Sequence, residues 1–319
     1  MLMTLPNIKL KRLHGTKPPP KDGLPLICVA KNESYFWPFF LTHYRSLGVE
    51  HFVILDDQST DKSLEFLSAQ PDVTVLRANM NFSDMYGKLR FGIAIRGLLS
   101  KHFFPDRWTL VADADEFWIT PTGFNSFPDL ITSLEANGHT LCRGIMIDLF
   151  PRQLNHIDPL QTETPPWILS PWYDDIRPIN WPAQSFTPTQ VNPERQVRNR
   201  MALRLLSCGH INRADLVARG LPSIHKSPLV KWARQTSLLG AHRISNRYHD
   251  SNQLACAHFK FFPQWPSKVK KAIESQAYYK ESIEYKMLKM SIEHLSDFDL
   301  CGPSSEKFAS FEDLKKFTI

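Results

Sequence analysis

The sequence predicts an α/β protein built on a mostly parallel central sheet flanked by helices. Three observations carry that expectation. Short apolar runs alternate with helical periodicity from Leu24 onward, acidic clusters follow directly on several of the runs, and turn-forming residues separate the segments.

The run at 26–30 reads as a strand, and Phe36, Phe40, His43, Tyr44 and Leu47 share one helical face that Gly48 closes. Residues 51–55, HFVIL, form the next run. Ser59 and Asp61 offer oxygens to cap a helix over 61–69, Pro71 stops it, and 73–76 make a third strand. A helical pattern covers 83–101, Pro105 breaks it, and the run 108–112, WTLVA, leads straight into Asp113. A helix at 128–137, with Gly138 behind it, and a strand at 140–148 extend the alternation. Short strands joined through helices call for right-handed crossovers and a parallel sheet.

The organisation divides into a flexible basic arm at 1–23, a main domain at 24–265 and a C-terminal helical extension at 266–319, with an amphipathic helix at 267–294. Within the main domain, residues 159–193 interleave eight prolines with Trp167, Trp172, Tyr173 and Trp181 and keep no periodicity. That aromatic load marks a structured, functional excursion.

With 42% hydrophobic and 22% charged residues the chain has the composition of a soluble globular protein, and its net charge of +6 suits a surface that meets anions such as nucleotide or lipid phosphates. Cys28, Cys142, Cys208, Cys256 and Cys301 are odd in number and lack a CxxC pair, which excludes a disulfide framework or zinc knuckle and fits reduced thiols in the cytoplasm. No stretch reaches the roughly 18 apolar residues of a spanning helix, and no apolar core of a signal peptide opens the chain. Basic residues are dispersed without an aromatic platform, so nucleic-acid binding is not expected.

Ligands of parallel sheets bind beyond the carboxyl ends of the strands. Lys31, Asn32 and Glu33 follow the first strand, Asp56, Asp57 and Asp61 the second, and Asp113, Asp115 and Glu116 the WTLVA strand. Two carboxylates at i and i+2 on a chain leaving a strand can hold a hard divalent cation that bridges phosphate oxygens, and carboxylates placed this close to a core without a cation would be costly.

On the pieces CVAKNESYFWPFFLTHYRSLGVEHFVILDDQSTD, LVADADEFW, IDLFP, WYD, KSPLVKW and AHFKF, in that order, the chain resembles the family 2-like GT-A glycosyltransferases, in particular the bacterial branch with a DxDEF motif. The resemblance spans about 24–262. It implies a GT-A, Rossmann-like fold and sugar transfer from a UDP- or GDP-sugar to a glycan or lipid-linked acceptor, assisted by Mn2+ or Mg2+. By motif match, Glu33 and Asp57 face the nucleoside, Asp113 the ribose or metal, and Asp115 and His258 the metal. Lys260 meets the diphosphate, and Lys88 and Arg90 supply helix-borne cations for the donor.

An inverting reaction needs a general base within about 3 Å of the acceptor hydroxyl. Asp174 and Asp148 match family positions, with Asp175 beside them. The four aromatics of the excursion are candidates to stack on acceptor sugars. Polysaccharide assembly, and a cytoplasmic place at the inner face of a membrane with peripheral association, follow from the same resemblance. A metal-dependent phosphatase or phosphotransferase, and a non-catalytic nucleotide-sugar-binding homologue, are the alternative readings.

Overall fold

A computed structural model describes residues 2–5, 7–15, 23–179, 192–245, 252–275 and 279–319. The strands are β1 (Leu2–Leu5), β2 (Ile8–His14), β3 (Leu24–Ala30), β4 (Val49–Asp56), β5 (Val73–Ala78), β6 (Met85–Tyr86), β7 (Leu89–Arg90), β8 (Trp108–Val111), β9 (Glu116–Ile119), β10 (Leu141–Phe150), β11 (Trp172–Asp174), β12 (His225–Lys231), β13 (Leu238–Gly240), β14 (Arg243–Ile244), β15 (Gln253–Phe259) and β16 (Ser305–Lys307). The helices are α1 (Trp37–Ser46), α2 (Ser63–Ser68), α3 (Phe91–Phe103), α4 (Phe127–Ala136), α5 (Pro166–Leu169), α6 (Val197–Ser207), α7 (Arg213–Arg219), α8 (Trp265–Ser275) and α9 (Tyr279–His294).

One large sheet runs β1-β2-β5-β4-β3-β8-β12-β10-β11-β16, with β15 beside β10 and β9 beside β15. Its core, β5-β4-β3-β8, is parallel, as the alternation predicted, and β10 runs parallel to β15. The strand β12 is antiparallel to both β8 and β10. Its start therefore lies at the edge where the parallel strands end.

Burial explains the order of layers. Every residue of β3 is buried, as expected for a strand covered on both faces. Leu26, Cys28, Phe52 and Ile54 pack into one cluster with Trp37, Phe40 and Tyr44 of α1 and Leu130 of α4. Ile27, Val29, Val53 and Leu55 point the other way, into a second cluster with Phe91, Ile95 and Leu99 of α3. The period-2 alternation of the strands meets the i, i+4, i+8 stripe of α3 across that face.

Several sequence expectations change. The segment expected to be a flexible arm includes β2, which pairs antiparallel with β5 and alternates buried Ile8 and Leu10 with exposed Lys9 and Lys11. β1 pairs with the other side of β2 and forms the edge of the sheet, so β2 is a strand with one face on the core and its lysines on the solvent face. The pattern expected as a helix at 83–101 begins instead with the β6-β7 hairpin, because Gly87 takes φ +62° at its turn, and α3 starts only at Phe91. The C-terminal segment is helical in α8 and α9, but β16 returns to the main sheet beside β11. Of the excursion, α5 and β11 are ordered elements, while Trp181 lies outside the described residues. Among the described residues no helix is long and apolar enough to cross a membrane, and all five cysteines are free thiols.

Candidate active site at the carboxyl edge of the sheet

Strands β3, β4, β8, β10 and β15 run in one direction, so Ala30, Asp56 and Val111 at their ends and Asp148 and His258 near theirs come to the same edge. The loops after β3 and β4 are tied together there. Asn32 Oδ1 accepts from the Thr60 amide at 2.7 Å, and Asp61 accepts from the Ser34 amide at 2.9 Å. The Asp57 amide donates to the Ala30 carbonyl at 2.8 Å, and its carboxylate accepts from the Phe82 amide at 3.0 Å with Lys31 at 3.8 Å. Burial raises the Asp57 pKa against those partners.

Asp113, Asp115 and Glu116 sit on the tight turn joining β8 to β9. Tyr44 of α1 fixes that turn, its hydroxyl donating to the Glu116 carbonyl at 2.8 Å and accepting from the Trp118 amide at 3.0 Å. The Phe259 amide donates to the Asp115 carbonyl at 2.9 Å, which fastens Asp115 beside His258.

Asp148 and His258 face each other in register across β10 and β15. The Nδ1 of His258 lies 2.6 Å from Asp148 Oδ1. An ionised carboxylate only accepts, so Nδ1 carries the hydrogen, and in the neutral ring the lone pair is left on Nε2. That Nε2 is 3.8 Å from Asp115 Oδ2. Burial raises the Asp148 carboxyl, but Arg198, at 2.6 Å, and then His258 outweigh it and hold it well below the usual range.

One ligand atom each from Asp115, Glu116 and His258 falls within a 4.8 Å span, and all three residues are buried. Carboxylate oxygen with imidazole nitrogen, backed by a carboxylate on the far side of the ring, is donor chemistry that a divalent cation can use. Asp115 and His258 thus fit the expected cation. Glu116 is less free for it, being bonded to Lys226 and to the Asp113 amide at 3.2 Å.

Asp113, expected among the ligands, has a different environment. Arg96 of α3 reaches one of its oxygens at 2.5 Å and Lys226, at the start of β12, the other at 2.7 Å. Burial opposes ionisation, yet these two cations drive its pKa far down. Arg96 is the helix-borne cation at this edge. Lys88 instead occupies the exposed turn of the β6-β7 hairpin, and Arg90 turns back to the Ser83 carbonyl at 3.3 Å. Both were expected on the helix and both precede it.

Glu33 is linked to Asp115 through Lys268. Its Oε1 accepts from Lys268 of α8 at 2.6 Å, and Lys268 lies 3.8 Å from Asp115 Oδ2. Burial raises the Glu33 pKa to about 7 even with that partner. Asp115, Lys260, Phe262, Trp265, Lys268 and Tyr285 line a small cleft, with room for about one water, that opens toward solvent. The Lys260 ammonium stands 5.6 Å from the Tyr285 ring centre in it. Burial raises the Asp115 carboxyl, while Lys268, His258 and Lys260 together bring it below its ordinary value.

The two expected base candidates are both engaged. Asp148 serves His258 and Arg198, and Asp174 is 3% exposed, bonded to Arg200 at 2.7 Å and Ser305 at 2.6 Å. Asp175 is held by Arg177 at 2.6 Å. Trp167 packs edge-on against Phe39 and Phe117, Trp172 lies against the same core, and the buried Tyr173 hydroxyl donates to Glu306 at 2.8 Å. Tyr173 is buried in the core, while Trp167 and Trp172 pack against it half-buried.

No known family model matches the chain, and no curated protein matches it. Among solved structures, UDP-glucose pyrophosphorylase complexed with UDP-glucose aligns at 12% identity and a TM-score of 0.23, over 47% of this chain and 66% of that one. Apo UDP-glucose pyrophosphorylase aligns at 9% identity and a TM-score of 0.26, over 85% and 88%. Similarity this low has no bearing on what this chain does.

Proposed function

We propose that the protein is a divalent-metal-dependent glycosyltransferase that moves a sugar from a UDP- or GDP-sugar to a glycan or lipid-linked acceptor. The observation that carries this reading is the pairing of Asp115 with a His258 whose outer nitrogen is fixed by Asp148, at the strand edge that also bears Glu33 and Asp57. Asp115 and His258 would hold Mn2+ or Mg2+, which when bound neutralises charge on the diphosphate leaving group. Lys260 and Lys268 add fixed positive charge on the cleft side of Asp115, where a departing diphosphate gains most from it. Asp57 offers a carboxylate to nucleoside hydroxyl or N–H groups. Arg96 and Lys226 hold Asp113 ionised and rigid, which fixes the turn that aims Asp115. A cytoplasmic position in peripheral contact with a membrane belongs to the lipid-linked form of this reading.

A phosphotransferase would need a free aspartate as nucleophile. Asp113 has both oxygens in ion pairs with buried cations, which disfavours that alternative.

A thermal-shift panel of UDP, GDP and sugar phosphates with and without Mn2+ tests the proposal. Stabilisation by a nucleoside diphosphate only when Mn2+ is present, lost in Asp115→Ala, is the expected result. Stabilisation by sugar phosphates alone, or full nucleotide-sugar turnover by Asp115→Ala at saturating Mn2+, would reject it.

A further inference from the structure

We propose that Lys268 is a tethered counter-cation sharing Glu33 and Asp115 with the divalent ion, so that ion entry and movement of this ammonium toward the mouth of the cleft are coupled. The inference rests on the metal reading above and adds a positioning residue to it.

Lys268 Nζ is 2.6 Å from Glu33 Oε1 and 3.8 Å from Asp115 Oδ2, and His258 Nε2 is 3.8 Å from that same Oδ2. One carboxylate oxygen therefore faces both the imidazole and the ammonium. Two cations drawn to one oxygen repel each other, so a divalent ion seated by Asp115 and His258 weakens the hold on Lys268.

Glu33 makes the arrangement adjustable. Its Oε2 is buried and accepts no hydrogen bond among the described residues, while its Oε1 depends on Lys268. A buried carboxylate in that position draws in whichever cation is nearest.

The lysine also has somewhere to go. It projects from the first turns of α8, its side chain is 25% exposed, and its ammonium passes 5.2 Å from the Phe262 ring centre. It lines the same small, solvent-open cleft as Lys260, so an anion approaching the mouth of that cleft draws the ammonium away from Glu33 and Asp115. A nucleoside diphosphate that attracts Lys268 would thereby raise the affinity for the ion, and by linkage the ion would raise the affinity for the diphosphate.

Titration calorimetry of Mn2+ into the full chain, with no nucleotide present, tests the coupling. Lys268→Met is expected to bind Mn2+ about tenfold more tightly than wild type, since it frees two carboxylates. Lys268→Arg should keep wild-type affinity. Lys260→Met, which removes an equal charge that acts on Asp115 from farther than Lys268 does, should change affinity by less than about threefold. Unchanged or weaker Mn2+ binding in Lys268→Met, with Asp115→Ala abolishing binding, overturns the inference and leaves the metal site standing. Equal tightening in Lys260→Met and Lys268→Met also overturns it, by reducing the effect to general charge. If wild type and Lys268→Met both fail to bind Mn2+, the metal reading itself falls.

Discussion

His258 donates from Nδ1 to Asp148 at 2.6 Å across two neighbouring parallel strands, and this bond decides which ring nitrogen faces Asp115. Without it the two tautomers would compete, and one of them would turn an N–H toward the cation. Asp148→Asn keeps the shape but can also donate, so it no longer enforces the tautomer. The Mn2+ affinity of that variant should drop about 10–100-fold in calorimetry, the usual cost of losing a carboxylate behind a metal-bound histidine. Wild-type affinity would show that Asp148 does not orient the ring.

Asp113 and Asp115, two residues apart, should fail in different ways. Asp113 neutralises Arg96 and Lys226, whose side chains are 8% and 10% exposed. Removing its charge leaves two buried cations with only Glu116 to share, so Asp113→Asn should lower unfolding free energy by about 2 kcal/mol, discounted because Asp113 is itself 29% exposed. Asp115→Ala should unfold within about 1 kcal/mol of wild type while losing Mn2+. Urea melts of both variants check the contrast, and equal destabilisation would mean that Asp115 is a structural ion-pair partner.

The site was legible where local pattern and topology coincide. Asp57 and the Asp113 to Glu116 turn follow apolar runs, and a parallel sheet brings such ends to one edge whatever the loops do. His258 was readable only through its motif, since nothing local distinguishes a histidine that ends a strand from one packed in it. Lys268 was not readable, because its partner Glu33 lies 235 residues away in sequence. Lys226, 113 residues from Asp113, was not readable either, because its place at this edge follows from the antiparallel run of β12, which the sequence pattern does not disclose. The strands β9 and β15 escaped notice for a different reason. Every residue in both is buried, so neither shows the alternation that marks a half-exposed strand. The displaced start of α3 shows the converse error, in which apolar spacing continued through Gly87 although the backbone turned there.

The pH dependence of stability should carry the mark of a half-buried histidine on α1. His43 Nε2 donates to the Trp118 carbonyl at 2.9 Å, and burial lowers its pKa to about 4. Between the ordinary histidine value near 6.5 and about 4, the unfolded chain binds a proton that the native chain refuses. Stability therefore falls as pH falls through that window, with a slope of up to about 1.4 kcal/mol per pH unit from this one group. His225 and His242, lowered by burial to about 4 and about 3, add slopes of the same sign. His43→Gln, which can still donate to the carbonyl, should flatten the curve between pH 6.5 and 4 relative to wild type. An identical slope in the variant would mean that His43 is protonated in the folded protein.

Gly144 of β10 leaves room for the indole of Trp118, which reaches it from β9 across the intervening β15. A Cβ built there would lie 2.2 Å from Trp118 Cζ3, and Trp118 is fully buried in β9, two residues beyond Glu116. Gly144 also pairs with Lys226 across β10 and β12, so its backbone registers the cation that holds Asp113. An added methyl must push the indole or separate the strands, and neither has room in a packed core. Gly144→Ala should cost about 1–3 kcal/mol in a urea melt. It should also weaken Mn2+ binding, because movement of Trp118 is transmitted along β9 to the turn carrying Asp115. The compensating change Trp118→Phe in the Gly144→Ala background should restore part of both losses, since the smaller ring vacates the space the methyl needs. If the double variant were no better than the sum of the single changes, the contact between Gly144 and Trp118 would not be the route by which the strand spacing controls the site.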